Sequence, residues 1–355
     1  MLALFDNYPS LQATLPYVSL GDFPTPVEKA DRLALAVNTP RLYIKRDDVS
    51  GKAYGGNKVR ALEFLLGAAL RAQVKEVIAL GFPASCQALA QAIYARQVGL
   101  HSIAFLFPQV VSAQARRHLL TYQSIGADVR PISQLFPYAA RHLLSHGRLP
   151  MLLEASTPLG IVGYVSAAFE LKEQLERGRL PEPDLVYVAL ATLGTAVGLM
   201  LGFRTAGLKC QVIGVENGGK IMGRKVATSQ NMARLFRETN TLLRRHTPGF
   251  PEIAVSEADF IIRSDFLRGE GSLLNPAGTQ ALSRARELAD LQLDEMFTAN
   301  AFAAVWADGQ AGALHDKTVL WWNTYSSRDL SGPMAGADFR QLHKYFHRYF
   351  AEGRP

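Results

Sequence analysis

Glu76-Val-Ile-Ala-Leu-Gly-Phe-Pro-Ala-Ser-Cys-Gln-Ala-Leu-Ala-Gln-Ala-Ile-Tyr-Ala-Arg-Gln-Val-Gly-Leu-His-Ser-Ile-Ala-Phe-Leu-Phe107 reads as one complete unit of an α/β fold. Residues 76–80 form a short β-rich apolar run, residues 81–85 are turn formers, residues 87–98 are alanine-rich with helical composition, and residues 101–107 read as the next strand. This succession predicts parallel sheets with crossover helices. A second unit runs from a strand at 185–190 through a small-residue loop at 191–195 into a helix ending near Gly207, with residues 212–215 as its returning strand. Between them lie an amphipathic stretch at 113–124 and a short apolar segment at 127–132. The fold class is therefore α/β, built from open twisted sheets with flanking helices.

Around this frame the composition is ordinary. The 355 residues suggest about two domains at roughly 150 residues each. Apolar residues make up 48% and charged residues 19%, which argues against disorder and low complexity. A net charge of +7 suits anionic ligands and nucleic acid alike, but there is no basic tail and no interleaved aromatic-basic motif, so nucleic acid is not the expected partner. Arg234, Arg237, Arg244 and Arg245 share a helix with Leu235 and Phe236 and read as its solvated face. Cys86 and Cys210 make neither a disulfide framework nor a zinc site, so no metal is expected and a reducing, cytoplasmic setting fits best. The N-terminus lacks a signal-peptide pattern, and no apolar run approaches the roughly 18 residues of a membrane-spanning helix.

The segment richest in chemistry is Lys45-Arg-Asp-Asp-Val-Ser-Gly-Lys-Ala-Tyr-Gly-Gly-Asn-Lys-Val-Arg-Ala-Leu-Glu63. Residues 42–45 read as a strand, and Asn57 stands where it could cap a helix carrying Leu62, Leu65 and Leu66. Lys58 then falls in the first helical turn, where the helix dipole disfavours a cation. Carbonyl condensation requires a neutral amine, so a lysine placed there is a candidate for Schiff-base chemistry. Gly55-Gly56 would let a planar ligand approach the backbone. These residues alone leave the alternative of a plain surface lysine open.

The loop Ala191-Thr-Leu-Gly-Thr195 joins a strand to a helix, and its backbone N–H groups and the Thr192 and Thr195 hydroxyls could cradle a phosphate. A simple tight turn is the other reading. No dinucleotide fingerprint, P-loop or nucleophile-elbow motif is present.

Taken together, Lys-Arg-Asp-Asp at 45–48, Gly-Gly-Asn-Lys at 55–58, and Pro-Leu-Gly-Ile-Val-Gly-Tyr at 158–164 resemble the fold type II pyridoxal-phosphate enzymes. The similarity is greatest to the 1-aminocyclopropane-1-carboxylate deaminase and D-cysteine desulfhydrase family, and it extends from about residue 20 to about residue 324. The resemblance implies pyridoxal 5'-phosphate in a cleft between two domains of the tryptophan synthase beta-like kind. It implies a large domain of residues 1–55 and 161–355, a small inserted domain of residues 56–160, and a homodimer. Lys58 matches the Schiff-base lysine that also moves the substrate α-proton, and Ser85 matches the serine that contacts the substrate carboxylate. Ser85, Cys86 and Gln87 stand in for a Ser-Asn-Gln segment, so Asn57 and Cys86 border the cofactor while Gln87 borders the substrate. Thr192, Leu193, Gly194 and Thr195 match the phosphate loop, and Thr298 matches the residue facing the pyridine nitrogen.

The departures fall on the substrate side. Cys86 replaces an asparagine, Phe297 replaces a tyrosine, and residues 270–274 offer no second tyrosine. Asn323-Thr-Tyr-Ser326 replaces a His-Thr-Gly-Gly-like stretch, which leaves Tyr164, Phe297 and Tyr325 as pocket candidates. A threonine at 298 cannot hold a proton on the ring nitrogen as a carboxylate can, which favours expulsion of a β-substituent over chemistry needing a full carbanion. The expected activity is a lyase or deaminase acting on a small amino acid, most simply by α,β-elimination to ammonia and a keto acid. Ring-opening deamination, β-replacement and a non-catalytic scaffold that senses or binds a partner remain as alternatives.

Overall fold

The computed structural model describes residues 2–147, 149–218, 220–221, 224–267 and 275–351. Its contacts divide the chain into two compact units. The first comprises Met1–Pro16, Gly21–Phe64 and Ala155–Ser327; the second comprises Tyr17–Leu20, Leu65–Glu154 and Arg328–Pro355.

The first unit is organised by six strands: β1 (Val27–Lys29), β2 (Arg41–Arg46), β7 (Leu185–Leu190), β8 (Gln211–Glu216), β11 (Ile261–Arg263) and β12 (Thr318–Asn323). Their order is β1-β2-β12-β7-β8-β11, and every pairing is parallel except β1 with β2. A separate hairpin pairs β9 (Lys220–Ile221) with β10 (Arg224–Lys225). All six residues of β12 are buried, as expected of a central parallel strand covered on both faces.

One face packs against α3 (Asp31–Val37), α11 (Pro276–Ala289) and α12 (Thr298–Gln310), with Ile44, Tyr187, Val215, Phe302, Val305 and Trp321 in a single core. Packed on β7 and β8 is α9 (Gly194–Ala206), which lies closely along α8 (Pro158–Glu176). Glycines allow that approach: a Cβ at Gly198 would stand 2.5 Å from Tyr164 Cβ, and one at Gly202 would stand 2.4 Å from Ala168 Cβ. Two short helices, α1 (Ala3–Asn7) and α2 (Pro9–Thr14), and the longer α10 (Ser229–His246) complete the unit. Arg234 and Arg244 are exposed on α10 and pair with Glu238 and Glu252, while Leu235, Phe236 and Leu243 are buried, so the basic face is a solvated one.

The second unit holds β3 (Glu76–Gly81), β4 (His101–Leu106), β5 (Asp128–Pro131) and β6 (Met151–Leu152) in the parallel order β5-β4-β3-β6. Its longer helices are α5 (Cys86–Gln97), α6 (Ala113–Ser124) and α7 (Leu135–His146), together with most of α4 (Lys58–Arg71), whose first residues belong to the first unit. The resemblance implies that the C-terminal tail belongs to the large domain, whereas its contacts group Arg328–Pro355 with this second unit. Arg116 Nε donates to Tyr349 O at 2.7 Å, and the Tyr349 hydroxyl both accepts from Gln109 N and donates to Gln109 O. Among the described residues no helix is long and apolar enough to cross a membrane.

Candidate active site

The Gly-Gly-Asn-Lys loop is stitched to the chain just beyond the carboxyl end of β12. Gly55 N–H donates to Ser326 Oγ at 2.9 Å, Gly56 N–H to Asp47 O at 2.8 Å, and Asn57 N–H to Thr324 O at 3.1 Å. Both glycines are required. A Cβ at Gly55 would stand 1.9 Å from Asp48 O, and Gly56 has φ +91° with Thr324 O only 2.9 Å from where its Cβ would be. Lys58 is thereby the first residue of α4 and is half-buried. Gly163 of α8 lets this turn settle deeply, since a Cβ there would lie 2.1 Å from Arg60 O.

The small-residue loop after β7 meets this turn. Asn57 does more than mark a helix start: its Nδ2 donates to Thr195 Oγ1 at 2.7 Å. Thr192 is exposed, Leu193 and Thr195 are buried, and Gly194 N–H donates to Ser156 Oγ at 3.1 Å. The first turn of α9 brings further backbone donors to the same place. Tyr164 is buried against Thr195; burial pushes its phenol up, while the Thr195 hydroxyl pulls the other way.

Thr298 opens α12 and is fully buried. Its hydroxyl donates to Asp294 Oδ1 at 2.6 Å and accepts from Asp294 N–H at 2.9 Å. Asp294 also takes the N–H groups of Met296, Phe297 and Thr298, and burial raises its carboxyl against these hydrogen bonds. Phe297 is half-buried immediately before the helix, and Tyr325 is half-buried beside the Gly56 loop. Asn323 is completely buried at the end of β12, and neither its Oδ1 nor its Nδ2 has a hydrogen-bond partner.

Ser85, Cys86 and Gln87 lie in the second unit at the start of α5. Ser85 Oγ accepts from Ala88 N–H at 3.2 Å, as an N-cap residue does. Cys86 Sγ accepts from Gln114 Nε2 at 3.6 Å, and nearby Tyr122 has its phenol pushed well up by burial and then by the thiol. Both side-chain amide atoms of Gln87 are buried without a partner. Residues 270–274, where the resemblance implies a second tyrosine, lie outside the described residues.

The motif residues Lys45, Asp47 and Arg60 belong to a buried charge network that sequence reading did not anticipate. Arg60 bridges Asp47 and Glu170, Lys45 Nζ meets Glu170 Oε1 at 2.5 Å and Gln174 Oε1 at 2.8 Å, and Trp322 Nε1 donates to Asp47 Oδ2. Two cations and two anions thus balance in the interior. Burial alone would raise the Glu170 carboxyl, but Arg60 and Lys45 outweigh it and hold it at about 2.

A phosphorylated pyridine aldehyde needs an amine, an anion cradle without excess cation, and polar partners around its ring. Lys58, the α9 N-terminus with Thr192 to Thr195, and the unsatisfied Asn323 amide provide these kinds of group. A buried amide without partners is costly unless a ligand satisfies it, so the residues present fit pyridoxal phosphate.

Comparison with known proteins agrees. A family model described as pyridoxal-phosphate dependent enzyme matches residues 18–324. A nocardicin C-9' epimerase from Nocardia uniformis is 30% identical over 326 residues, covering 89% of this chain and 94% of the relative. A D-cysteine desulfhydrase from Serratia proteamaculans is 29% identical over 314 residues, covering 84% and 89%. A putative 1-aminocyclopropane-1-carboxylate deaminase from Pyrococcus horikoshii is 28% identical, covering 88% and 92%. Among solved structures, that of a 1-aminocyclopropane-1-carboxylate deaminase homologue superposes with a TM-score of 0.73 at 24% identity, covering 93% of this chain and 98% of that one, and it shares the fold. The chain therefore belongs to the fold type II pyridoxal-phosphate-dependent enzymes, similar to the deaminase and D-cysteine desulfhydrase family, and its cofactor is pyridoxal 5'-phosphate.

Proposed function

We propose that this enzyme is a lyase that removes the α-proton and a β-substituent from a small amino acid, releasing ammonia and a keto acid. The observation carrying this reading is Lys58 as first residue of α4, on a loop held by Gly55, Gly56 and the Asn57–Thr195 hydrogen bond. When bound, pyridoxal phosphate supplies the electron sink that makes the α-proton removable. Lys58 is the residue that would hold it, and the Lys58 amine would take the α-proton. Thr192, Gly194 and Thr195 would hold the phosphate with uncharged donors, Thr298 would meet the ring nitrogen, and Ser85 would hold the substrate carboxylate at the start of α5. Tyr164, Phe297 and Tyr325 would wall the substrate side.

A second reading, proton exchange at Cα without loss of a β-substituent, is favoured by the relative named as an epimerase. The two separate cleanly in deuterium oxide. Elimination gives ammonia and keto acid from D-cysteine, L-cysteine or β-chloroalanine. Epimerisation gives Cα-deuterated amino acid of inverted configuration and no keto acid. A protein that loads cofactor and does neither with any amino acid tested would be the non-catalytic scaffold. The homodimer implied by resemblance is checked by light scattering.

A further inference from the structure

We infer that Tyr122 binds substrate: its hydroxyl joins Ser85 at the start of α5 in holding the carboxylate of the amino acid. The inference deepens the proposed reading, in which Ser85 meets that carboxylate, and rests on it.

Residues 114, 118 and 122 of α6 recur every four positions and so share one face of the helix. That face looks onto the start of α5. Gln114 Nε2 donates to Ala84 O at 3.2 Å and to Cys86 Sγ at 3.6 Å, and the Cys86 thiol acts electrostatically on the Tyr122 phenol. Gln114, His118 and Tyr122 are all buried, Tyr122 completely. The Gln114 amide nitrogen has its partners, whereas the Tyr122 hydroxyl has none in the protein. A buried hydroxyl in that condition is costly unless a ligand satisfies it. The Cys86 sulfur does not serve, being a weak acceptor that Gln114 already takes.

The groups gathered here suit an anion. Burial, and then the Cys86 thiol, keep the Tyr122 phenol protonated well above neutral pH, so it has a hydrogen to give. Ser85 Oγ accepts from Ala88 N–H at 3.2 Å, which leaves its own hydrogen to donate. The Gln87 side-chain amide, next to Cys86, is buried without a partner and brings two more hydrogens. His118 adds no cation, because burial, and then Arg117, push its imidazole down to about 3. The start of a helix is also the positive end of its dipole. Uncharged donors at a helix start match a carboxylate, whose two oxygens accept about four hydrogen bonds.

The test is binding of D-alanine, L-alanine and ethylamine, which lacks the carboxylate, to the full-length protein loaded with pyridoxal phosphate, followed by visible absorbance. Tyr122→Phe removes one oxygen and keeps the ring. Half-saturation by alanine should then need about tenfold more ligand or higher, the effect of a lost hydrogen bond to a charged group. Ethylamine should bind no worse than to the wild type, cofactor affinity should stay within about twofold, and urea unfolding without ligands should show no loss of stability. Unchanged alanine binding in Tyr122→Phe would overturn the inference and leave the proposed reading standing. An equal loss for ethylamine, or a less stable variant, would overturn it too, by making Tyr122 a packing residue. A loaded wild type that responds to no amino acid would overturn the proposed reading and the inference with it.

Discussion

Arg60 and Glu170 meet as a two-pronged ion pair in the interior, with Nη1 2.9 Å from Oε2 and Nη2 3.1 Å from Oε1. Arg60 lies two residues beyond Lys58, and Glu170 lies in α8, so the pair ties the lysine-bearing turn to the helix behind it. Removing one charge of a buried set leaves the others uncompensated. Glu170→Gln should destabilise the protein by about 3–5 kcal/mol in urea unfolding. A loss below about 1 kcal/mol, the level of an exposed pair, would show that the network carries little.

The same carboxyl sets an acid limit. Its folded pKa of about 2 lies below the ordinary 4.5, so its contribution is complete above about pH 4.5 and is lost as pH falls toward 2. Thermal unfolding across that window should show the midpoint falling in the wild type, with a shallower fall in Glu170→Gln. Parallel curves would contradict the assignment.

Gly163→Ala should strain the site directly, because the new methyl would meet Arg60 O at 2.1 Å. Overpacking of this kind costs about 1–3 kcal/mol, and moving the turn should weaken cofactor binding as well. Gly207→Ala is the contrast. Gly207 ends α9 at φ +77° with open space around its Cβ position, so about 1–2 kcal/mol of stability should be lost with cofactor affinity unchanged.

Thr195→Val deletes the hydroxyl that accepts from Asn57 Nδ2 and leaves a buried amide short of a partner. Cofactor affinity, read by fluorescence titration, should fall about tenfold, equivalent to about 1.4 kcal/mol or one ordinary hydrogen bond. Unchanged affinity would remove Thr195 from the proposed phosphate cradle.

Much of this architecture is visible in the sequence because its signals are local. Residues 185–190 are a short β-rich run and form β7, and the turn at Gly207 ends α9 as its position suggests. Gly55 and Gly56 mark a close approach, although the groups that approach, Asp48 O and Thr324 O, are not readable from the motif. Distance in sequence hides the rest. Arg60 and Glu170 are 110 residues apart, and no periodicity links them. Asp294 is only four residues from Thr298, yet the hydrogen bonds between them depend on a carboxylate folding back over a helix start, which composition does not reveal. The unsatisfied Asn323 amide is likewise a property of burial, seen only once β12 sits at the centre of its sheet.

The central claim is that Lys58 holds pyridoxal phosphate. Borohydride reduction of the loaded protein followed by peptide mass spectrometry tests it most directly. The expected result is a covalent pyridoxyl label on the peptide containing Lys58 and its loss in Lys58→Ala, together with the visible absorbance of the bound cofactor. A label on another lysine, or no label on a protein that has bound the cofactor, would contradict it.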